Sequence, residues 1–213
     1  MDFGTFLKAT SKIGQIPLPG LESQLKMSPP FRRSLIEQQR DLVAHSKKAA
    51  VVSLFYPDAQ QVTKFMLILR KTYKGVHSAQ IGFPGGRMEV TDRTLKDTAL
   101  RETEEEVGVP MASIEILREM TEVYIPPSNF TVYPFIGIAR TTPLFVKQDE
   151  EVEDLIEVSL SDFLDESAVC MAPVMTSLEK EIPVPVFQLN GHLVWGATAM
   201  MLSETKDLLK RVL

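Results

Sequence analysis

The stretch ALRETEEEVG, residues 99–108, decides how the rest of the chain reads. Leu100, Thr103 and Val107 recur at helical spacing and can bury against a sheet, which would fix the helix and aim its other faces. Those faces hold four glutamates, Glu102, Glu104, Glu105 and Glu106. Like charges at helical neighbour spacing repel by roughly 0.2–0.5 kcal/mol per pair on an exposed helix, so folding alone would dilute them. Glu102, Glu105 and Glu106 stand at i, i+3 and i+4 and project from one narrow arc, whereas Glu104 points away and reads as a solvated charge. A divalent cation would resolve the crowding. Hard oxygen ligands without an accompanying His or Cys cluster select Mg²⁺ or Mn²⁺ over Zn²⁺.

An acidic helical run alone is more often a solvated face than a metal site. Its surroundings favour the metal. Gly85 and Gly86 precede the helix at a distance that lets the loop fold back on the first turns, and glycine allows close backbone approach. Arg101 can reach back to Asp92 and clamp that loop to the helix as an Arg-carboxylate pair. Gly108 stands where the helix should stop.

Working outward, AAVVSLFY (49–56) and KFMLILR (64–70) read as strands, as do EILREMTEVY (115–124), FTVYPFIGIA (130–139) and LIEVSL (155–160). SDFLDE reads as a short helix, and VPVFQLNGHLVW as a hairpin turning at Asn190-Gly191, the type I′ pair. TAMMLSETKDLLKRVL closes the chain as an amphipathic helix. Strands interrupted by a few helices, without regular βαβ alternation, predict a mixed α/β (α+β) class: a mixed sheet sandwiched between helices. Residues 1–47 read as a mostly helical extension, broken by IPLPG and MSPP, and 48–213 as the main domain. Phe3, Phe6, Leu7 and Thr10 share one side of a short helix. A homodimer through this extension and closure of its helices over their own domain are both open.

The chain has 213 residues, 44% hydrophobic and 24% charged, enough for a substantial core. A net charge of −5 argues against nonspecific attraction to a nucleic-acid backbone. The single cysteine, Cys170, excludes an internal disulfide framework, fits a reducing compartment and reads as a buried thiol. No apolar run approaches the ~20 residues that span a bilayer, and the N-terminus lacks a secretory pattern. A cytoplasmic protein with no membrane partner is expected.

Residues 86–109, GRMEVTDRTLKDTALRETEEEVGV, resemble the Nudix box, matching at Gly86, Arg101, Glu102, Glu105, Glu106, Gly108 and Val109. Three positions depart from it. The loop acid is Asp92 rather than Glu, the spacer to Arg101 is one residue longer, and Thr103 replaces an aliphatic. The first two resemble the coenzyme A pyrophosphatase subfamily, as do HSAQIGFPGG (77–86), YIPPSNFTVYPFIGI, EVEDLIEVSL and VWGATAMML. In the upstream motif, Lys74 or Gly75 falls near a usual basic position, and Ala79 replaces a usual glycine.

The resemblance implies a Nudix-type α/β/α sandwich that hydrolyses a nucleoside diphosphate linked to another moiety by water attack on phosphorus. Glu102, Glu105 and Glu106 would hold Mg²⁺ or Mn²⁺, with the Gly86 carbonyl as a further ligand. Arg101 would hold the catalytic loop. Either Glu102 or Glu151, in QDEEVED, would take the water's proton. His77, Lys74, Gly85 and Gly86 would meet the substrate, a small nucleotide; His45 and His192 read as surface or packing residues. Ser128 and Asn129 are open between lining the cleft and turn chemistry, and Trp195 is expected to pack the last helix on the sheet. Coenzyme A or its acyl esters lead as substrate. Other nucleoside diphosphate derivatives, such as ADP-ribose or NADH, come next, and a ligand sensor without turnover is the reading from a different class.

Overall fold

The computed structural model describes residues 1–29, 31–38, 43–71, 80–175 and 181–213. Three short helices, α1 (Phe3–Thr10), α2 (Leu21–Leu25) and α3 (Arg32–Gln38), precede the strands. Then come β1 (Lys47–Pro57), β2 (Thr63–Arg70), β3 (Ile81–Gly82), β4 (Gly85–Arg87) and helix α4 (Leu95–Val107). The second half runs β5 (Ile114–Glu119), β6 (Val123–Ile125), β7 (Phe130–Ala139), β8 (Val152–Ser159), α5 (Leu160–Leu164), β9 (Val169–Met175), β10 (Glu181–Leu189), β11 (His192–Val194) and α6 (Gly196–Leu209).

The larger sheet runs β3-β2-β1-β7-β5, with β4 beside β1, β6 beside β7 and β8 beside β2. It is mixed: β1 and β7 are parallel from Lys47↔Phe130 to Phe55↔Ile138, and the other pairs are antiparallel. Alternation along each strand feeds two separate cores. Ala50, Val52, Leu54 and Tyr56 of β1 meet Met66 and Ile68 of β2 and Ala99, Leu100 and Val107 of α4. Ala49, Val51 and Phe55 face the opposite way, where Phe65, Leu67, Ile136 and Ile138 meet Leu202, Leu208 and Leu209 of α6. This is the α/β/α arrangement expected from the strand pattern.

Phe3, Phe6, Ile13 and Met27 are buried in that second core, so the N-terminal helices close over their own sheet. A polar seam locks them there. Glu204 of α6 is fully buried, and its carboxylate accepts from Gly20 N–H (3.0 Å), Thr121 Oγ1 (2.6 Å) and Gln24 Nε2 (2.9 Å).

Two expectations need correction, and one strand was not foreseen. The stretch 115–124 is two strands rather than one, because it runs along β7 at Pro134, which has no N–H to offer a ladder; Met120 N–H still reaches the Pro134 carbonyl (2.8 Å). VCMAPVM forms an unanticipated strand, β9, at the edge of a three-stranded sheet with β10 and β11. An edge tolerates Pro173. Cys170, expected to be buried, is exposed on that edge strand. The hairpin after β10 does turn at Asn190-Gly191, with φ of +49° and +80°, and Leu189 pairs with His192.

Replacing Glu204 by Ala takes an acceptor from the half-buried Gly20 N–H and Thr121 hydroxyl and from the buried Gln24 amide, which keeps the Thr121 carbonyl, at about 0.5–1.5 kcal/mol each. Urea unfolding of the Glu204→Ala protein should show a loss of roughly 1.5–4.5 kcal/mol, with a smaller loss for Glu204→Gln, which keeps one acceptor.

Candidate active site

Helix α4 is held at both ends. Thr94 Oγ1 accepts from Asp97 N–H (3.1 Å) and Asp97 Oδ2 from Thr94 N–H (3.0 Å), a reciprocal N-terminal cap. At the other end Gly108 is left-handed (φ +74°) and its N–H bonds the Glu104 carbonyl. Thr103 is fully buried and bonds back to the Ala99 carbonyl (2.6 Å), which lets a hydroxyl stand where an aliphatic is usual.

The glycine turn lies directly on this helix. Gly85 has φ +145°, and a Cβ there would come 2.3 Å from the Ala50 carbonyl oxygen, so no other residue fits. A Cβ on Gly86 would come 2.4 Å from Glu102 Oε2. Glu106 is 2% exposed; its Oε2 accepts Gly85 N–H at 2.7 Å, and its Oε1 lies 3.3 Å from Arg70 Nη2. Arg70 also donates to the Gly85 carbonyl (2.6 Å), tying the end of β2 to both turn and helix.

The Arg101–Asp92 clamp is present and bidentate, Nε to Oδ1 at 2.9 Å and Nη2 to Oδ2 at 3.0 Å. Asp92 Oδ2 also accepts Glu89 N–H and Thr98 Oγ1, each at 2.9 Å. The remaining Arg101 nitrogen, Nη1, lies 3.0 Å from Glu102 Oε1 and 2.9 Å from Glu105 Oε2. Glu104 is exposed, as expected, and accepts Met111 N–H (2.8 Å).

Glu102, Glu105 and Glu106 are brought together on one side of α4, but not as a closed cage. Among the described residues no three His, Cys, Asp or Glu side chains converge on one cation position. Glu106 is turned inward to Gly85, Glu105 outward, and arginines answer their charge. The donor set nonetheless suits a hard divalent cation. Burial, first of all, raises Glu106 to about 7, against Arg70 and the Gly85 N–H; the charges of Glu102 and Glu151 push the same way as burial. Glu102 is likewise raised, chiefly by burial. Acids in this state gain most from a dipositive neighbour.

Glu151 lies close enough for its charge to raise both of those carboxylates. Its loop is strapped to the helix. Val146 N–H bonds the Val107 carbonyl (3.0 Å), and Gln148 N–H bonds the Glu106 carbonyl (3.1 Å). Gln148 Oε1 then accepts Glu151 N–H (2.9 Å), while the Glu151 carbonyl takes Lys71 N–H (2.9 Å).

His77 and Lys74 lie outside the described residues. Asn129 serves a turn, with φ +53° and its carbonyl on Lys47 N–H, and Ser128 bonds the Ile125 carbonyl (3.4 Å). His45 is exposed, and His192 pairs within the hairpin. Trp195 packs on the Ala172, Val174, Val184 and Val186 cluster of the small sheet, not between α6 and the large one. Arg70 went unassigned in the sequence, although a cation ending an apolar strand beside the glycine turn was its signal. Gln148 left no signal.

The NUDIX domain family matches residues 46–178. The chain belongs to the Nudix family. Nudix hydrolase NudL of Yersinia enterocolitica, itself uncharacterized, is 34% identical over 137 residues, covering 64% of this chain and 69% of that protein. The uncharacterized NudL of Pectobacterium atrosepticum is 29% identical over 189 residues, 85% of this chain and 88% of that one. In structure, the Nudix hydrolase RenU of M. smegmatis aligns with a TM-score of 0.55 at 16% identity, over 79% of this chain and 88% of RenU. A MutT/nudix protein of Enterococcus faecalis gives 0.51 at 12%, over 83% and 73%. This Nudix hydrolase is therefore a pyrophosphohydrolase acting on a nucleotide-derived substrate with divalent metal ions. No helix among the described residues is long and apolar enough to cross a membrane.

The clamp has a pH signature. Arg101, above all, holds Asp92 well below the usual carboxylate range. A depressed folded value means stability that is fully present above the unfolded value of about 4 and lost as pH falls through the folded one. Asp92→Asn should therefore be less stable than the parent at pH 7, with the difference closing in acid below about pH 3; thermal unfolding across pH 2–7 measures it.

Proposed function

We propose that this Nudix hydrolase cleaves the pyrophosphate bond of coenzyme A or its acyl esters with Mg²⁺ or Mn²⁺. The products are 4′-phosphopantetheine, acylated where the substrate is, and adenosine 3′,5′-bisphosphate. The chemistry rests on one observation: the Gly85-Gly86 turn is pressed onto Glu102 and Glu106 beneath the Arg101–Asp92 clamp. The substrate rests on the likeness of HSAQIGFPGG, and of the Asp92 loop with its longer spacer, to the coenzyme A subfamily. We take 48–213 as the catalytic unit and a reducing cytoplasm as its setting.

A diphosphate repels a nucleophile and gains charge in the transition state, so cations held against its oxygens lower the barrier. Glu102, Glu105 and Glu106 would hold such ions, with the Gly86 carbonyl as a further ligand. When bound, divalent cations supply charge neutralisation and a more acidic water. The protein's own groups do the remainder. Arg101 keeps the turn against the helix through Asp92 and pairs with Glu102 and Glu105. Glu102 or Glu151 takes the proton of the attacking water, and the strap through Gln148 holds Glu151 beside the cluster. His77 and Lys74 meet the nucleotide or pantetheine end.

The purified chain with Mg²⁺ or Mn²⁺, offered coenzyme A, an acyl-coenzyme A, ADP-ribose and NADH, should release adenosine 3′,5′-bisphosphate by mass detection from the first two. Cleavage of ADP-ribose or NADH alone would sink the substrate assignment, and no turnover would return the chain to ligand sensing. Glu105→Gln should lower kcat by about 100-fold or more; unchanged activity would remove it from the ligand set.

A further inference from the structure

Arg70 closes a ring of polar contacts at the edge of the carboxylate cluster. Glu106 Oε2 accepts Gly85 N–H (2.7 Å), the Gly85 carbonyl accepts Arg70 Nη2 (2.6 Å), and that same nitrogen lies 3.3 Å from Glu106 Oε1. Both backbone polar groups of Gly85 are thereby committed, one to the carboxylate and one to the guanidinium. The N–H belongs to the peptide before Gly85 and the carbonyl to the peptide it shares with Gly86. Peptides are planar, so the ring holds both planes that flank Gly85. Gly86, paired with Ala50 on β1, leaves the turn from the second of them.

The backbone from which Arg70 reaches is itself pinned on two sides. Its N–H bonds the Gln80 carbonyl (3.0 Å). Across β8 the register steps from Leu69↔Asp154 to Arg70↔Val152, a bulge that skips Glu153, and just beyond it Lys71 N–H takes the Glu151 carbonyl (2.9 Å). The two arginines at the cluster are used differently. Arg101 spends one edge of its guanidinium on Asp92. Arg70 is the one cation paired with Glu106 among the described residues, yet its shorter contact is with the neutral Gly85 carbonyl. A mere counter-charge needs only to stand near the carboxylate. A group that also grips the turn fixes carboxylate and turn relative to each other.

We propose that Arg70 is a positioning residue for the cation site, holding the Glu106 carboxylate and the Gly85-Gly86 turn in one arrangement before any ion arrives. The inference rests on reading Glu106 and the Gly86 carbonyl as cation ligands. Charge counting predicts the opposite effect of removing Arg70. Lifting a positive charge from beside the site should, by Coulomb's law alone, tighten a divalent cation. Losing the groups that orient metal ligands works the other way, typically by about 10–100-fold in affinity. The second effect is the larger here. The Arg70 side chain is 26% exposed, so solvent screens its repulsion of an ion, whereas the 2% exposed Glu106 has only the Gly85 N–H left to orient it once Arg70 is gone.

Calorimetric titration of the full chain with Mn²⁺, without substrate, tests it. Arg70→Met should bind Mn²⁺ about 10–100-fold more weakly than the wild type. Arg70→Lys should recover part of that loss, because one ammonium can meet the two acceptors that one arginine nitrogen meets now. In the metal-free protein, hydrogen exchange at Gly85 N–H, followed by NMR, should be about 10-fold faster in Arg70→Met. Exchange along α6 should not change, which separates a loosened turn from a loosened fold. Mn²⁺ binding equal to or tighter than the wild type's in Arg70→Met, no recovery in Arg70→Lys, or unaltered exchange at Gly85 would overturn the proposal. Should Arg70→Met not fold, Arg70→Lys decides alone: Mn²⁺ binding and Gly85 exchange both matching the wild type's would overturn it, and a weaker ion with faster exchange would support it. Glu106→Gln separates this proposal from the ligand reading. If the wild type takes no Mn²⁺, or Glu106→Gln takes it equally well, both fall. If Glu106→Gln binds weakly and Arg70→Met normally, the positioning role falls alone.

Discussion

Glu106 is the constraint from which the site follows. A carboxylate 2% exposed can stay in place only if its oxygens find donors, and the Gly85 N–H and Arg70 are the donors it has. For that N–H to reach the helix, the turn must pass so close to β1 that a side chain at Gly85 would collide with the Ala50 carbonyl. The helix in turn must sit at one depth and rotation, which Ala99, Leu100, Thr103 and Val107 impose by burying against β1 and β2. Packing on one face of α4 thereby sets the position of the carboxylates on another. A site on a loose loop could not be held so closely.

Seen this way, the arginines and the glutamates form one electrostatic system. Two acids with raised affinity for protons, Glu102 and Glu106, stand beside Arg70 and Arg101, which answer part of their charge. Arg101 divides its guanidinium: one edge is committed to Asp92, and the nitrogen left over bridges Glu102 and Glu105. A divalent cation would compete with that last nitrogen and leave the clamp intact. Cation affinity in such a site falls as pH drops, because the ion and the proton contend for the same oxygens.

Much of this was legible in residues 99–108 and their neighbours. The helical spacing of Leu100, Thr103 and Val107, the stop at Gly108 and the reach of Arg101 to Asp92 are local facts, and the structure places each as expected. The type I′ hairpin at Asn190-Gly191 is local too. What stayed hidden depends on partners distant in the chain. Pro173 reads as a strand breaker until β9 is known to be an edge; Cys170 reads as buried until the outward side of that edge is known. The break between β5 and β6 is dictated by Pro134 on a different strand. Arg70 carries no motif of its own, and its role appears only when β2 is brought to the glycine turn.

The strap over the end of α4 shows how such distant contacts serve the site. The last carbonyls of a helix need donors, and here the carbonyls of Glu106 and Val107 take them from Gln148 and Val146. Gly108 makes this possible, since a Cβ there would come 2.8 Å from the Val146 Cβ. The left-handed stop that ends the helix is thus also the gap through which the chain returns across it. Gln148, once seated, holds the Glu151 N–H with its side chain, so the acid outside the helical motif is positioned from the helix itself. Helix termination, usually a matter of local stability, here sets how far Glu151 stands from Glu102 and Glu106.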